Sequence, residues 1–246
     1  MAQGKIHIGT SGWSYKHWKG IYYPAHVKPV DYLAFYAEEF QVSEINTSFY
    51  HLPQTATIQK WNQTVNSSFR FCPKLSRYAT HMKKLNDPET TLPAFFEQFS
   101  LLHKKLGPVL IQLPPGLAYK DEKVKTFFEA LRQYKGFTFA LEPRHTSWMQ
   151  PDALALMKKY RVAFVIAESG NRWPSGEFVT AKNIYLRFHG PDGSYARPYT
   201  TRTLKKYAEK IVAWQKQGHT IWAFFNNDLG GHALTNARTL RNLTDS

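Results

Sequence analysis

Eight short β-rich runs punctuate the chain, and their spacing limits its fold more than any other feature. They are Lys5–Gly9, Val42–Thr47, Phe69–Lys74, Val109–Leu113, Phe137–Leu141, Ala163–Ala167, Ile184–Phe188 and Ile221–Phe225. Between most of them apolar residues recur at helical spacing. Leu204, Tyr207, Ala208, Ile211 and Val212 form one such stripe, opened by Thr200 or Thr201 and closed by Gly218. Asp31–Phe40, Leu92–Leu106, Asp121–Tyr134, Asp152–Tyr160 and His232–Leu243 repeat the theme. Eight strand–helix alternations in 246 residues predict an α/β chain, a parallel TIM-like (β/α)8 barrel spanning residues 1–246 as a single domain. An open doubly wound sheet is the competitor. Gly9-Thr10-Ser11-Gly12 does not fit the glycine fingerprint that such a sheet would carry after its first strand. Between the sixth and seventh runs, Gly170–Lys182 holds Trp173-Pro174-Ser175-Gly176 and reads as loop. Helix six is therefore expected to be missing or reduced to a turn.

Side chains alternate across a strand, and the set facing the helices of a barrel is apolar. That rule turns Ile45, Phe69, Phe71, Val109, Ile111, Leu113, Leu141, Ile184, Leu186 and Phe188 outward. The inward set at the carboxyl ends is then Ser11, Asn46, Lys74, Gln112, Glu142, Glu168, Arg187, His189 and Asn226, with Arg144 just beyond Glu142. A barrel needs only apolar layers to stand, and buried charge is costly unless paired. So many polar groups gathered at the face where such barrels place their sites argue for a ligand. The competing reading is an internal ion-pair network, with Glu142 neutralised by Arg144 or Lys74.

Short motifs support the same layout. Gly9-Thr10-Ser11-Gly12-Trp13-Ser14-Tyr15 with Trp18, Gly20 and Tyr22-Tyr23-Pro24 resembles the opening block of the DUF72, or YecE-like, family. Glu44-Ile45-Asn46-Thr47-Ser48-Phe49-Tyr50, Gln112-Leu113-Pro114-Pro115, Glu142 with Arg144 and Ser147-Trp148, Tyr185-Leu186-Arg187-Phe188-His189-Gly190 and Phe225-Asn226-Asn227-Asp228 are similar to its later blocks, in order along nearly the whole chain. The resemblance implies a TIM-like barrel and supplies no reaction.

Charge narrows the chemistry. Lys plus Arg number 32 against 18 Asp plus Glu, a net charge of +14, which favours anionic partners: a phosphate-bearing small molecule or nucleic acid. In the leading reading the protein is an enzyme, hydrolase-like, acting on such a substrate. Lys74, Arg144 and Arg187 bind oxyanions, Glu142 or Glu168 is general base, and His189 is acid or base. Ser11, Asn46, Gln112, Asn226 and Asn227 orient the ligand. Trp13, Tyr15 and Trp18 either stack on a base or sugar or form an apolar cap over the barrel. One alternative is a glycosidase-like pair, Glu142 and Glu168, with Trp13 and Trp148 stacking on a sugar. Another is non-catalytic nucleic-acid binding through Lys83-Lys84, Lys104-Lys105, Lys158-Lys159 and Lys205-Lys206, pairs that equally suit a solvated face. No cofactor is expected. A divalent metal on Glu142, Glu168 and His189 is disfavoured by the basic neighbours. One cysteine excludes an internal disulfide framework and a four-thiolate zinc site. With no apolar run of signal-peptide or membrane-spanning length, the expected compartment is the cytoplasm, without membrane contact.

Overall fold

The computed structural model describes residues 3–245. Eight parallel strands stand in the order β3-β2-β1-β8-β7-β6-β5-β4: β1 (Ile6–Thr10), β2 (Val42–Ile45), β3 (Arg70–Pro73), β4 (Val109–Gln112), β5 (Phe139–Glu142), β6 (Val162–Glu168), β7 (Asn183–Phe188) and β8 (Thr220–Phe225). Bridges Phe71–Leu106 and Lys74–Leu110 join β3 to β4 and bring the sheet round to a nearly closed TIM-like barrel. All eight predicted runs are strands, displaced by a residue or two at their ends.

The helices are α1 (Tyr32–Glu39), α2 (Thr55–Thr64), α3 (Pro88–Thr91), α4 (Pro93–Ser100), α5 (Asp121–Leu131), α6 (Pro151–Tyr160), α7 (Thr201–Lys216) and α8 (His232–Thr244). Proline at the first turn opens α3, α4 and α6, where its missing N–H has no intrahelical partner to lose. Thr200 caps α7, its hydroxyl accepting from the Thr203 N–H. The predicted Leu92–Leu106 helix is shorter: α4 stops at Ser100 and a separate 3-10 turn covers His103–Lys105. Between β6 and β7 there is no helix, as expected. Thr180 of that connection lies along β6 instead, donating to the Val162 carbonyl at 2.7 Å and accepting from the Phe164 N–H at 2.8 Å.

Alternation along the strands separates two apolar layers. Val42, Cys72, Leu110, Ala140, Val165, Tyr185, Trp222 and Phe224 pack inside the barrel. Ile45, Phe71, Ile111, Leu141, Phe164, Leu186 and Phe225 face the helices in the larger core. At the amino-terminal end His7 stacks on Trp222 with ring centroids 4.2 Å apart, which floors the barrel. The opposite end is therefore left to carry polar groups.

Candidate functional site

Three strands, β2, β5 and β7, meet in one buried ionic cluster at the carboxyl ends. Arg187, from β7, is its centre. Its Nε and Nη2 donate to Glu44 Oε1 and Oε2 at 2.8 and 2.9 Å, and its Nη1 donates to Glu142 Oε2 at 2.7 Å. Tyr185, two residues earlier on the same face, donates its hydroxyl to Glu44 Oε1 at 2.8 Å. Arg144 Nη2 approaches Glu142 Oε1 at 2.7 Å. Both glutamates are fully buried. Burial by itself pushes the Glu142 carboxyl up, but Arg144, Arg187 and His189 outweigh it and hold the group well below the usual carboxylate range.

His189 completes the cluster. Its Nε2 lies 3.0 Å from Glu142 Oε1, and its Nδ1 lies 3.3 Å from Asn226 Nδ2. Glu142 accepts only, so the network assigns the proton to Nε2 and leaves Nδ1 as the acceptor. The 3.5 Å approach of Arg144 Nη2 to the same Nε2 then joins two donors and is proximity rather than a bond. Burial lowers the imidazole below its ordinary value despite Glu142, which favours the neutral ring.

Two cations keep donors unspent. Lys74, at the end of β3, is 9% exposed; its Nζ donates to Gln112 Oε1 at 2.8 Å and stands 4.1 Å from the centre of the Phe49 ring. Gln112 is held in that orientation because its Nε2 donates to the Leu113 carbonyl. The Lys74 partner is thus neutral. Burial first, and then Arg187, push its ammonium down to about 7. Arg144 is 6% exposed, its guanidinium carbon sits 4.6 Å from the Trp173 ring centre, and its Nη1 is buried without a partner. Trp173 comes from the irregular β6–β7 connection. Only its place in a helix-free loop signalled it in the sequence.

Strand alternation thus places Ser11, Asn46, Lys74, Gln112, Glu142, Arg144, Arg187, His189 and Asn226 at the mouth. Three assignments are corrected. Glu168 points outward with Phe164 and Ile166: its carboxylate accepts from the Tyr207 hydroxyl of α7 at 2.6 Å and from the Gly170 N–H at 3.1 Å. It therefore joins Glu142 neither as a carboxylate pair nor, with His189, as a metal set. Among the described residues no group of three or more His, Cys, Asp or Glu is arranged to hold a metal ion. Trp148 is fully buried, with Nε1 donating to the Leu117 carbonyl at 2.8 Å, and packs edge-on against Tyr119. Asn227 falls on the outward register of β8 and latches to Asn236 Oδ1 and the Arg197 carbonyl at 3.0 and 2.9 Å.

Arg187 also changes part. All three guanidinium nitrogens are occupied and the residue is 2% exposed, so it organises the glutamates rather than meeting a ligand. Its main partner, Glu44, is inward by the same alternation that selected Asn46. The first-loop aromatics divide. Trp18 is fully buried with Nε1 bonded to the Asp228 carbonyl, a cap, whereas Trp13 and Tyr15 line a cavity of about 470 Å³ beside β1 and β2. The four lysine pairs ride on separate segments, and Lys105 is drawn in to the Asn62 and Val65 carbonyls. Among the described residues no helix is long and apolar enough to cross a membrane.

Comparison with known proteins agrees with this architecture. The UPF0759 protein YunF of Bacillus subtilis (strain 168) is 27% identical across 98% of this chain and 95% of its own length. The UPF0759 protein YecE of Escherichia coli (strain K12) is 26% identical over 57% of this chain and 48% of its own. The crystal structure of a DUF72 family protein from Thermotoga maritima MSB8 superposes with a TM-score of 0.87 at 26% identity, covering 98% of this chain and 100% of that one. A family model described as "Protein of unknown function DUF72" matches residues 7–246, from the first strand through the last helix, and on that match the chain belongs to the DUF72 family.

Proposed function

We propose that the carboxyl-end mouth binds a phosphate-bearing ligand, and that Lys74 exchanges a proton with it, in an enzyme of hydrolase-like chemistry. The supporting observation is the imbalance of donors. Glu44 and Glu142 are saturated by Arg187, Arg144, Tyr185 and His189, while Lys74 has only a neutral partner and Arg144 Nη1 has none. Two nearly buried cations with idle N–H groups suit an oxyanion, since charge-assisted bonds to phosphate are about twice as strong as neutral ones. A buried lysine that titrates near 7 suits general acid–base work at neutral pH. Glu142, held ionised by two arginines, positions Arg144 and His189. Asn226 and Gln112 orient what enters between them. Paired-carboxylate glycoside chemistry has less support, because Glu168 faces α7 and Glu44 is bound through both oxygens by Arg187.

Calorimetry with dimethyl phosphate, a diester whose charge is constant across the neutral range, tests this. Lys74 is protonated below its value of about 7, so affinity is expected to be highest there and to fall as pH rises through it. Arg144→Met weakens binding by about tenfold or more. Lys74→Met weakens it below pH 7 and removes the pH dependence. Glu168→Gln, outside the mouth, leaves it unchanged. Wild-type affinity in both cation variants overturns the proposal.

A further inference from the structure

The cavity beside β1 and β2 is not needed to hold an oxyanion, and it has its own chemistry. Its volume of about 470 Å³ is in the range of small-molecule sites. Trp13, Tyr15, Tyr50 and Trp61 wall it, and its floor is Ser11, Glu44 and Asn46. Asn46 Nδ2 donates to the Ser11 carbonyl at 2.8 Å and lies 3.4 Å from Glu44 Oε2. Both neighbours only accept, so the amide cannot be turned over, and Asn46 Oδ1 is left buried with no donor. Ser11 Oγ is likewise buried without a partner. Each idle polar atom has given up water without gaining a partner, a cost that a bound donor or acceptor would remove. The floor therefore offers an unpaired amide oxygen, which accepts only, and an unpaired hydroxyl, while both oxygens of Glu44 beside them are already engaged.

We infer that this cavity receives a flat heteroaromatic ring that brings N–H donors, of the amino-bearing nucleobase class. Aromatic walls favour a planar ring through stacking and edge contacts. The unpaired Asn46 oxygen selects a ring with an amino group over the same ring without one. Glu44 joins the two regions: its carboxylate lines the cavity and is held by Arg187, whose other terminal nitrogen grips Glu142. The whole ligand is then a nucleoside phosphate. That class rests on the phosphate reading above, whereas the ring cavity stands on its own floor and walls.

The test is calorimetry with four probes: adenosine, cytidine, nebularine (the adenosine ring without its amino group) and ribose 5-phosphate. Adenosine or cytidine is expected to bind, and nebularine to bind at least about tenfold more weakly than adenosine, the worth of one buried hydrogen bond. Val30→Trp fills the cavity from a position that is 57% exposed, where folding is not at risk, and abolishes nucleoside binding while ribose 5-phosphate still binds. Tyr50→Ala, at a 70% exposed wall position, weakens nucleosides without emptying the site. Equal affinity for adenosine and nebularine, or no binding of either amino-bearing nucleoside at millimolar concentration, overturns the inference. Nucleoside binding without ribose 5-phosphate binding defeats the phosphate reading alone. The reverse defeats the ring cavity alone.

Discussion

Arg187 has three guanidinium nitrogens and two buried carboxylates to satisfy with them, and the geometry leaves none over. Removing it leaves Glu44 buried without its cation and Glu142 with Arg144 alone, so Arg187→Met is expected to cost about 3–5 kcal/mol in urea denaturation. Arg187→Lys recovers only part of this, because an ammonium cannot fork to two carboxylates. The pH dependence has a definite sign. Glu142 has a folded value below its ordinary 4.5, so its contribution is fully present above that pH and is lost as pH falls through the depressed value. Alternation alone told which side Arg187, Glu142 and His189 face. It could not tell who pairs with whom, since partners sit on strands far apart in sequence. It misplaced Glu168 because β6 is apolar on both faces. The larger Phe164 and Ile166 share its parity and mark the helix side, which is the signal that would have turned it outward. Trp148 could not be read from its residue type, because an indole serves a core as readily as a ligand.

At the scale of elements, α1 and the first two strands are stitched by one phenol. Tyr36 reaches from α1 so that its hydroxyl lies 3.0 Å from both the Thr10 amide nitrogen and the Val42 carbonyl oxygen. It stands in for a rung of the β1–β2 ladder next to Gly9, where a side chain would meet the Val42 carbonyl. Tyr36→Phe keeps the ring and leaves both backbone groups unpaired. It is expected to destabilise by about 1–3 kcal/mol, measured by chemical denaturation. The strands and most helices were legible because each carries a burial pattern of its own. α2 was not: Thr55–Thr64 is mostly Thr, Gln and Asn, with Ile58 and Trp61 its main apolar residues, so its stripe is too thin to announce a helix. The β6–β7 connection was legible as non-helical from its proline and glycines. Its docking onto β6 through Thr180 depends on contacts no local pattern encodes.

Across the whole molecule the barrel is not uniformly bound. β7 and β8 pair along their full lengths, while β3 and β4 meet through the bridges Phe71–Leu106 and Lys74–Leu110. The backbone hydrogen bonds across that junction include Leu75 N–H to the Leu110 carbonyl and Gly107 N–H to the Phe71 carbonyl, each 2.8 Å. Lys74 and Gln112 face each other over the same gap. A ligand gripped there, as proposed above, would act as the pin in an unfinished hoop. Amide hydrogen exchange at Leu75 and Gly107 is expected to be faster than in β8 in the free protein, and to slow when dimethyl phosphate binds, with β8 unchanged. Occupancy and tightening of the staves would then become a single event, and the temperature at which this cask springs apart would serve as a gauge of whether it is full.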